Sequence, residues 1–516
     1  MYGDRTKRAA KNVSITLLCQ ILYIIVSFVC RTVFTKILGA EYLGINGLFS
    51  NILTVLSFVE LGIGSAIVYK MYKPLSEKDE RSLCIYLNFY KKVYRIIILL
   101  ITVLGILLIP FLDYLVNAED IDLNITTLYL LYLADTITSY IYVYKKSLLI
   151  ADQKNYIIEI YTQIFNIIIN IVQIVVLFIS HQFILYLIVK IVGGFICNMV
   201  LASKVNMDYP FAKKVIKESI NKEDELEFKK NIKGLLLGKI ASISFDGTDN
   251  VFISLFSGVS TVGVLSNYTM ILTTSNAIVN KVFYSLTSTV GKLSVESNSK
   301  HVESVFKKIY FVNTLIYGYM FVGMSTLLQK FVTEIWLDEI FHLPTYALEL
   351  FIIEVCLRGI SYPLYMTRTA YGKFYQLQWI SALSAVLNIV LDFILGSRYG
   401  LAGIILATIV SRTITRGVDS YIVYKDCLKK RVQEYYFMHF TYLCYMAIIE
   451  FIIYRICLIV RLDNVVSEFV VEFFTITVIY WIVTIFVFRR TEEYKYYKQF
   501  IVKIIKKFEN RKWYHC

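Results

Sequence analysis

From Val13 to Cys30 the chain runs for eighteen residues without a charged side chain, and from Gln163 to Val189 for twenty-seven. A hydrocarbon core about 30 Å thick asks for roughly 20 apolar residues from each helix that crosses it, so runs of this length constrain the fold more than any motif does. Strands of a membrane barrel would be about 10 residues long and would alternate apolar with polar, a pattern the sequence lacks. The composition agrees: 57% of the 516 residues are hydrophobic, 18% are charged, and the mean hydropathy is +0.60. A soluble chain carries charge on about a quarter of its residues. The expected class is an all-α polytopic membrane protein.

Counting the apolar runs gives about 14 transmembrane helices. They fall near 13–35, 43–69, 94–112, 124–144, 156–179, 183–203, 232–256, 260–285, 306–328, 343–367, 376–396, 399–423, 437–459 and 465–488. The first run is too long for the apolar stretch of a signal peptide and is expected to be a retained span. Loop charge tests the count, because cytoplasmic loops collect Lys and Arg. The stretch 70–95 carries Lys70, Lys73, Lys78, Arg81, Lys91, Lys92 and Arg95, and 204–233 carries eight lysines. The opposite loop, Asp113 to Asn124, holds four acids and no base. With the N-terminus inside, about 42 of the 53 basic residues fall on the cytoplasmic side, and the alternation holds to the end of the chain. Both termini are therefore expected in the cytoplasm. The net charge of +14 reads as this topology signal rather than as a nucleic-acid surface.

The longest inside loop divides the first twelve spans into two sets of six. A repeat supports the division: Gly39, Leu43, Gly44, Phe49, Ser50, Ile52, Leu53 and Thr54 recur 219 residues later as Gly258, Val262, Gly263, Tyr268, Thr269, Ile271, Leu272 and Thr273. At the same offset Asp135 falls on Glu354. Apolar segments also resemble one another by chance. Both copies open the second span of a six-span half, which points to parallel repeats about an axis along the membrane normal. The expected domains are an N-terminal lobe (1–204), a cytoplasmic linker (205–231), a C-terminal lobe (232–424), two extra spans (437–488) and a basic tail (489–516). Within the tail, 497–508 spaces apolar residues as a helix would and interleaves lysines, which suits a helix lying on an anionic leaflet.

Ionisable side chains inside a span are costly unless they face the bundle interior or a water-filled cavity. At 100° per residue, Thr16, Gln20, Ser27 and Arg31 share one face of span 1, and Asn46, Ser50, Ser57, Glu60 and Gly64 share one face of span 2. Span 7 aligns Lys239, Asp246 and Asn250, with Asp249 and Ser254 at the margins, and span 8 places Ser266, Thr273, Asn280 and Thr287 at intervals of seven. A second set comprises Glu159, Gln163, Asn166, Asn170 and Gln173 in span 5, Ser381, Ser384, Asn388 and Asp392 in span 11, and Arg412, Arg416 and Asp419 in span 12. Ser, Thr and Asn also serve as packing contacts between helices. Arg31 and Glu60 could pair with each other as a structural unit. Fixed cations in a dry-walled cavity suit a diphosphate, which Arg engages as a fork and Lys as a point charge. The expected cavity set is Arg31, Glu60, Lys239, Asp246, Asp249, Asn250 and Arg412, with Glu60 or Asp246 as the site of a coupling proton or sodium ion.

No nucleotide-binding glycine loop, serine-hydrolase elbow or zinc-protease motif occurs, and an enzyme is not expected. The nine cysteines form no C-x-x-C pair and the five histidines are dispersed, so neither a disulfide framework nor a metal site is expected, and no resident cofactor. A membrane-embedded polysaccharide polymerase or glycosyltransferase is the enzyme alternative. Such an enzyme needs a sizeable extracytoplasmic loop, and the longest here, such as 329–343, has about 15 residues.

The run from Arg31 (RTVFTKILGAEYLGINGLFSN), through Glu60 (ELGIGSAI) to Met71 (MYKPL), resembles Wzx-type flippases, as do Thr248 (TDNVFIS) and Val262 (VGVLSNY). That family belongs to the exporter superfamily shared with multidrug extrusion proteins and lipid II flippases. The motifs cover about a fifth of the chain and the span plan covers the rest. The resemblance implies two six-helix, MATE-like lobes around a central cavity, worked by alternating access in the cytoplasmic (inner) membrane. It implies a polyprenyl-diphosphate oligosaccharide as cargo, for capsule, exopolysaccharide or O-antigen assembly. Membrane lipids, a polysaccharide polymerase and glycosyltransferases would be its partners. Arg31 matches by position the family's diphosphate-facing cation; Lys239, Asp246 and Arg412 rest on the reading of polar faces alone. A drug/cation antiporter of the same fold remains the transporter alternative.

Overall fold

The computed structural model describes residues 2–57, 63–116, 124–152, 154–213, 247–284, 299–371, 378–459 and 461–499, together with 220 and 502. Among them the regular structure is entirely helical. That is what lipid dictates: with no water to take up backbone N–H and C=O groups, each spanning segment satisfies its own. Eight described helices are long and apolar enough to cross a membrane.

The chain divides into two compact units. The first comprises Met1–Ser266 with Ser381–Ile404. Its helices are α1 (Tyr2–Leu56), α2 (Ile63–Glu77), α3 (Glu80–Leu108), α4 (Ile125–Tyr140), α5 (Val143–Ala151), α6 (Asn155–Ser180), α7 (Phe183–Asp208), α8 (Asp249–Ser257) and the start of α9 (Val259–Tyr284). α6 lies along α1 and α7, and α4 packs on α7. The core between them is aromatic: Phe34 meets Phe183 edge-on with ring centroids 5.6 Å apart, and Phe49 meets Tyr129 at 5.4 Å. α3 starts at Asp79, whose carboxylate accepts from the Ser82 amide at 3.0 Å. This cap satisfies one of the free amides of the first turn.

α1 is two spans joined at Gly39, where the backbone turns to φ +88°, ψ −175°. Gly258, between α8 and α9, takes φ +84°, ψ 156°. Only glycine enters that region without strain. These are the two glycines that open the 219-residue repeat, so the repeated sequence makes a repeated turn. The helices it releases meet at backbone distance. A Cβ on Gly44 would lie 1.9 Å from the Val259 carbonyl oxygen, and one on Gly263 would lie 1.9 Å from that of Ala40. Ala40 and Val259 are themselves equivalents in the repeat, so the crossing is reciprocal: each copy lays its small residue on the other's helix start.

The second unit comprises Asn267–Ile380 with Ile405–Cys516. It contains the rest of α9, α10 (Ser299–Lys330), α11 (Thr345–Ile360), α12 (Tyr362–Ala370), the end of α13 (Gln378–Tyr421), α14 (Val432–Cys457) and α15 (Val465–Phe488). α13, like α1, holds two expected spans and turns at a glycine, Gly400. α10 is the spine, packing against α11, α14 and α15. Tyr480 of α15 reaches it through the gap at Gly318 and donates to the Leu315 carbonyl at 2.7 Å. Lys330, ending α10, is bonded to Glu468 and, at 2.9 Å, to Glu472 of α15.

In both units large apolar side chains point outward. Leu99, Leu107, Phe178 and Ile179 do so in the first unit, and Phe440, Phe451, Phe474 and Phe486 in the second. Hydrocarbon is the solvent for which such a surface is built. Of the expected linker, 205–213 and residue 220 are described; most of the expected tail helix 497–508 lies outside the described residues.

Candidate functional site

The first unit holds a polar, partly open cavity of about 240 Å³. The second half of α1 contributes Ser50 and Thr54, the residue just past its end Ser57, α4 Tyr132, Asp135 and Thr136, and α7 Lys190. Asp135 and Lys190 form an ion pair at 3.1 Å, and the ammonium also stands 5.4 Å from the centre of the Tyr132 ring. Tyr132 in turn donates to the Asn46 side-chain oxygen at 2.5 Å. Of the polar face expected on span 2, Ser50 and Ser57 line this cavity, and Asn46 holds the hydroxyl of Tyr132 in its wall. Asp135 and Lys190 complete it. Asp135 entered the sequence reading only as a repeat position, and Lys190 not at all, although it is the one charge in the stretch from Phe183 to Ala202.

Arg31, on α1, donates to the Ser266 hydroxyl on α9, and Tyr186, Cys30 and Tyr132 stand around it. The Ser266 hydroxyl donates its own hydrogen bond to the Gly263 carbonyl at 2.6 Å, so it is oriented to accept from the guanidinium. Gln173, from the polar stripe of span 5, is buried and donates to the Tyr186 carbonyl at 3.1 Å. It braces the wall around Arg31 rather than lining a cavity. Glu60, Lys239 and Asp246 lie outside the described residues.

Asp249 opens α8, and Asn250, half-buried, follows it. The Asp249 carboxyl stands beside that of Asp392 on α13, to which the Asn388 amide donates at 3.0 Å. Two carboxylates are acceptors only, so a shared proton or a bound cation would relieve the repulsion between groups so placed. Ser254, also marked at the margin of span 7, ties α8 to the Leu115 carbonyl at 2.9 Å and is structural.

In the second unit Arg412 sits with Arg416 and Arg358 around Glu354, at 3.5, 3.9 and 3.6 Å. One turn further along, Asp419 is taken by Arg368 at 2.6 Å. Both units therefore set an acid on the helix that carries the repeat position against a base near the end of the same half. The second unit also holds an apolar cavity of about 430 Å³ between α9, α10 and α15, lined by Ile278, Met320, Phe331, Phe469 and Phe473 among others. The loops that follow α5 and α7 are tied separately: Asp152 accepts from Lys154 at 2.7 Å and from the Tyr209 hydroxyl at 2.5 Å.

Helical bundles carrying charge and hydroxyls at membrane depth beneath an apolar exterior are the mark of a multi-pass transporter. Solved structures agree on the fold. The structure of "Lipid II flippase MurJ, inward closed conformation" superposes with a TM-score of 0.67 at 18% identity, covering 92% of this chain and 98% of that one. An inward-facing multidrug resistance MATE family transporter of the MOP superfamily gives 0.58 at 14% identity, covering 79% and 95%. No curated protein matches the sequence. A family described as "Polysaccharide biosynthesis protein" matches residues 9–290, and the chain belongs to that family. The resemblance read from the Arg31 and Thr248 motifs, to flippases of the exporter superfamily, is borne out.

Proposed function

We propose that the chain is a flippase that carries a polyprenyl-diphosphate-linked oligosaccharide across the cytoplasmic membrane for surface polysaccharide assembly. The observation that carries the reading is the cavity around Asp135 and Lys190. Serine, threonine and tyrosine hydroxyls, a carboxylate and an ammonium offer a sugar both donors and acceptors, and the Tyr132 and Tyr140 rings offer it apolar faces. Family membership supports it, and so does the likeness to a protein named a lipid II flippase.

In this mechanism two six-helix lobes, 1–204 and 232–424, open alternately to either side, with both termini in the cytoplasm. Arg31 meets the diphosphate as a fork, the hydroxyl-lined cavity receives sugars, and the apolar cavity beside α15 takes part of the lipid tail. Asp249, Asn388 and Asp392 hold the coupling proton or sodium ion in this reading, and Glu60 or Asp246, outside the described residues, keeps the same expected role.

Cells depleted of the protein test this. A flippase leaves its lipid-linked saccharide accumulated on the cytoplasmic leaflet, shielded from an external lectin. A polymerase leaves the same lipid exposed outside but unextended, which would overturn the reading. A drug antiporter leaves the lipid unchanged and sensitises the cell to cationic drugs.

A further inference from the structure

At one end of the first unit the start of α3, the start of α5 and the turn after α7 come together. Cys84 of α3 draws in the last of these, its thiol donating to the Phe211 carbonyl at 3.2 Å. Two ammonium groups share the Tyr144 ring of α5: Lys91 of α3 stands 5.8 Å from its centre and Lys145 stands 6.0 Å from it. Arg95, one turn beyond Lys91, also acts on Tyr144. Lys145 donates to the Asn206 side-chain oxygen of α7 at 2.7 Å, so its partner is an amide and brings no negative charge. The charged groups that face Lys145 are Lys91 and Lys213; burial first, and then these two cations, push its pKa below the ordinary 10.5. Neighbouring lysines are neutralised, Lys154 by Asp152 and Lys204 by Asp208, each at 2.7 Å. Lys91, Arg95, Lys145 and Lys213 have no carboxylate within ion-pair distance among the described residues. Like charges gathered from three elements repel one another, and an anion that binds among them relieves that cost.

The surface beside the cluster says which anion. After Lys92 and Arg95, α3 turns Ile96, Leu99, Val103 and Ile106 outward, all exposed and all on one side of the helix. A row of apolar side chains that starts one turn from a group of cations has the form of a lipid: charge at one end and hydrocarbon along the rest. A soluble phosphate would leave the row unused. We propose that Lys91, Arg95, Lys145 and Lys213 bind the phosphate of an anionic phospholipid, whose acyl chain lies along Ile96, Leu99, Val103 and Ile106. This lipid is a resident of the bilayer and not the cargo, so the site stands apart from the flippase reading. Its phosphate bridges α3, α5 and the turn after α7.

The full-length protein in a neutral detergent tests this by native mass spectrometry and thermal unfolding. Dioleoyl phosphatidylglycerol is the probe, dioleoyl phosphatidylcholine the zwitterionic control with the same chains, and inorganic phosphate the charge without the chains. Phosphatidylglycerol binds about tenfold more tightly than phosphatidylcholine and raises the unfolding temperature as its concentration rises. Lys91→Gln with Lys145→Gln weakens it about tenfold. Lys145 also holds Asn206, so Arg95→Gln with Lys213→Gln, which breaks no hydrogen bond, repeats the test and weakens it several-fold. Lys154→Gln with Lys204→Gln removes the same charge from the neighbouring ion pairs and leaves the affinity near wild type. Equal binding of the two phospholipids overturns the proposal, as does affinity unchanged in both test pairs or lost equally in the Lys154 and Lys204 pair. Inorganic phosphate that competes at the lipid's own concentration overturns it, because the chains then add nothing. A polyprenyl diphosphate that displaces equimolar phosphatidylglycerol from the wild type, and is itself weakened in the test pairs, gives the cluster to the cargo and overturns it too.

Discussion

Asp392 and Asp249 sit 143 positions apart in sequence and are brought side by side by packing, and two adjacent carboxyls are the natural seat of a coupling proton or cation. Asp392→Asn removes one carboxylate while preserving shape and hydrogen bonding. The expected outcome is a transport rate at least tenfold lower and no longer responsive to the proton or sodium gradient, measured in proteoliposomes with each gradient imposed in turn. Outside the membrane, a second carboxyl sets a pH dependence. Burial raises the Asp152 pKa, but the hydrogen bonds from Lys154 and Tyr209 outweigh it, and the net shift is below the ordinary 3.8. The bond to Asp152 raises Lys154, and burial pushes Tyr209 up to about 12. A depressed carboxyl stabilises the fold above its unfolded value and loses that contribution as pH falls through the folded one. The raised Lys and Tyr contribute below their unfolded values and lose it at high pH. Asp152→Asn therefore lowers thermal stability at pH 7, by about 0.5 kcal/mol for so exposed a pair, and the difference closes as pH falls below about 3.8. Thermal unfolding at pH 7 and pH 3 checks it. At this scale the polar face of span 2 was legible, because Asn46, Ser50 and Ser57 recur at the helical angle. The partners were not. Asp249 with Asp392, and Lys190 with Asp135, are brought together by packing between helices far apart in the chain, which no periodicity encodes. Gln173 shows the converse: a polar stripe reads the same whether it faces a cavity or braces a carbonyl.

The reciprocal crossing of Gly44 and Gly263 is a property of elements rather than of single side chains. A branched residue there meets backbone, which has little room to give. Gly263→Val is expected to cost about 1–3 kcal/mol, as overpacking in a close contact does. Gly194→Val, where a Cβ meets nothing within 4 Å, serves as the control and stays near wild type in thermal unfolding. The repeat that places this crossing was readable, because Gly39 and Gly258 keep their 219-residue spacing and take the same backbone turn. That the copies meet at that point was not, since the sequence gives spacing and not adjacency. The tie between α10 and α15 was also hidden, with Lys330 separated from Glu468 and Glu472 by more than a hundred residues. Lys330→Met leaves two carboxylates without their ammonium and loosens α15. Faster proteolysis in the linker around Arg461, at unchanged expression, is the expected result; an unchanged cleavage rate would show that packing around Tyr480 alone holds the helix.

Across the whole molecule the bilayer decides what each surface must be. Apolar side chains face outward, and charge and hydroxyls are drawn inside each unit. This level was the most legible, because apolar run length is set by membrane thickness rather than by any particular contact. Cargo is set instead by a few side chains, which is why the fold is shared with transporters of different kinds while the chemistry has to be read from this chain. The most direct test follows a fluorescent polyprenyl-diphosphate oligosaccharide in proteoliposomes, scored by accessibility to an impermeant lectin. The account predicts that wild-type protein moves the lipid between leaflets and that Arg31→Ala slows it at least tenfold at equal reconstitution. A wild-type protein that leaves the lipid in its original leaflet under both proton and sodium gradients, yet transports a cationic drug, would contradict it.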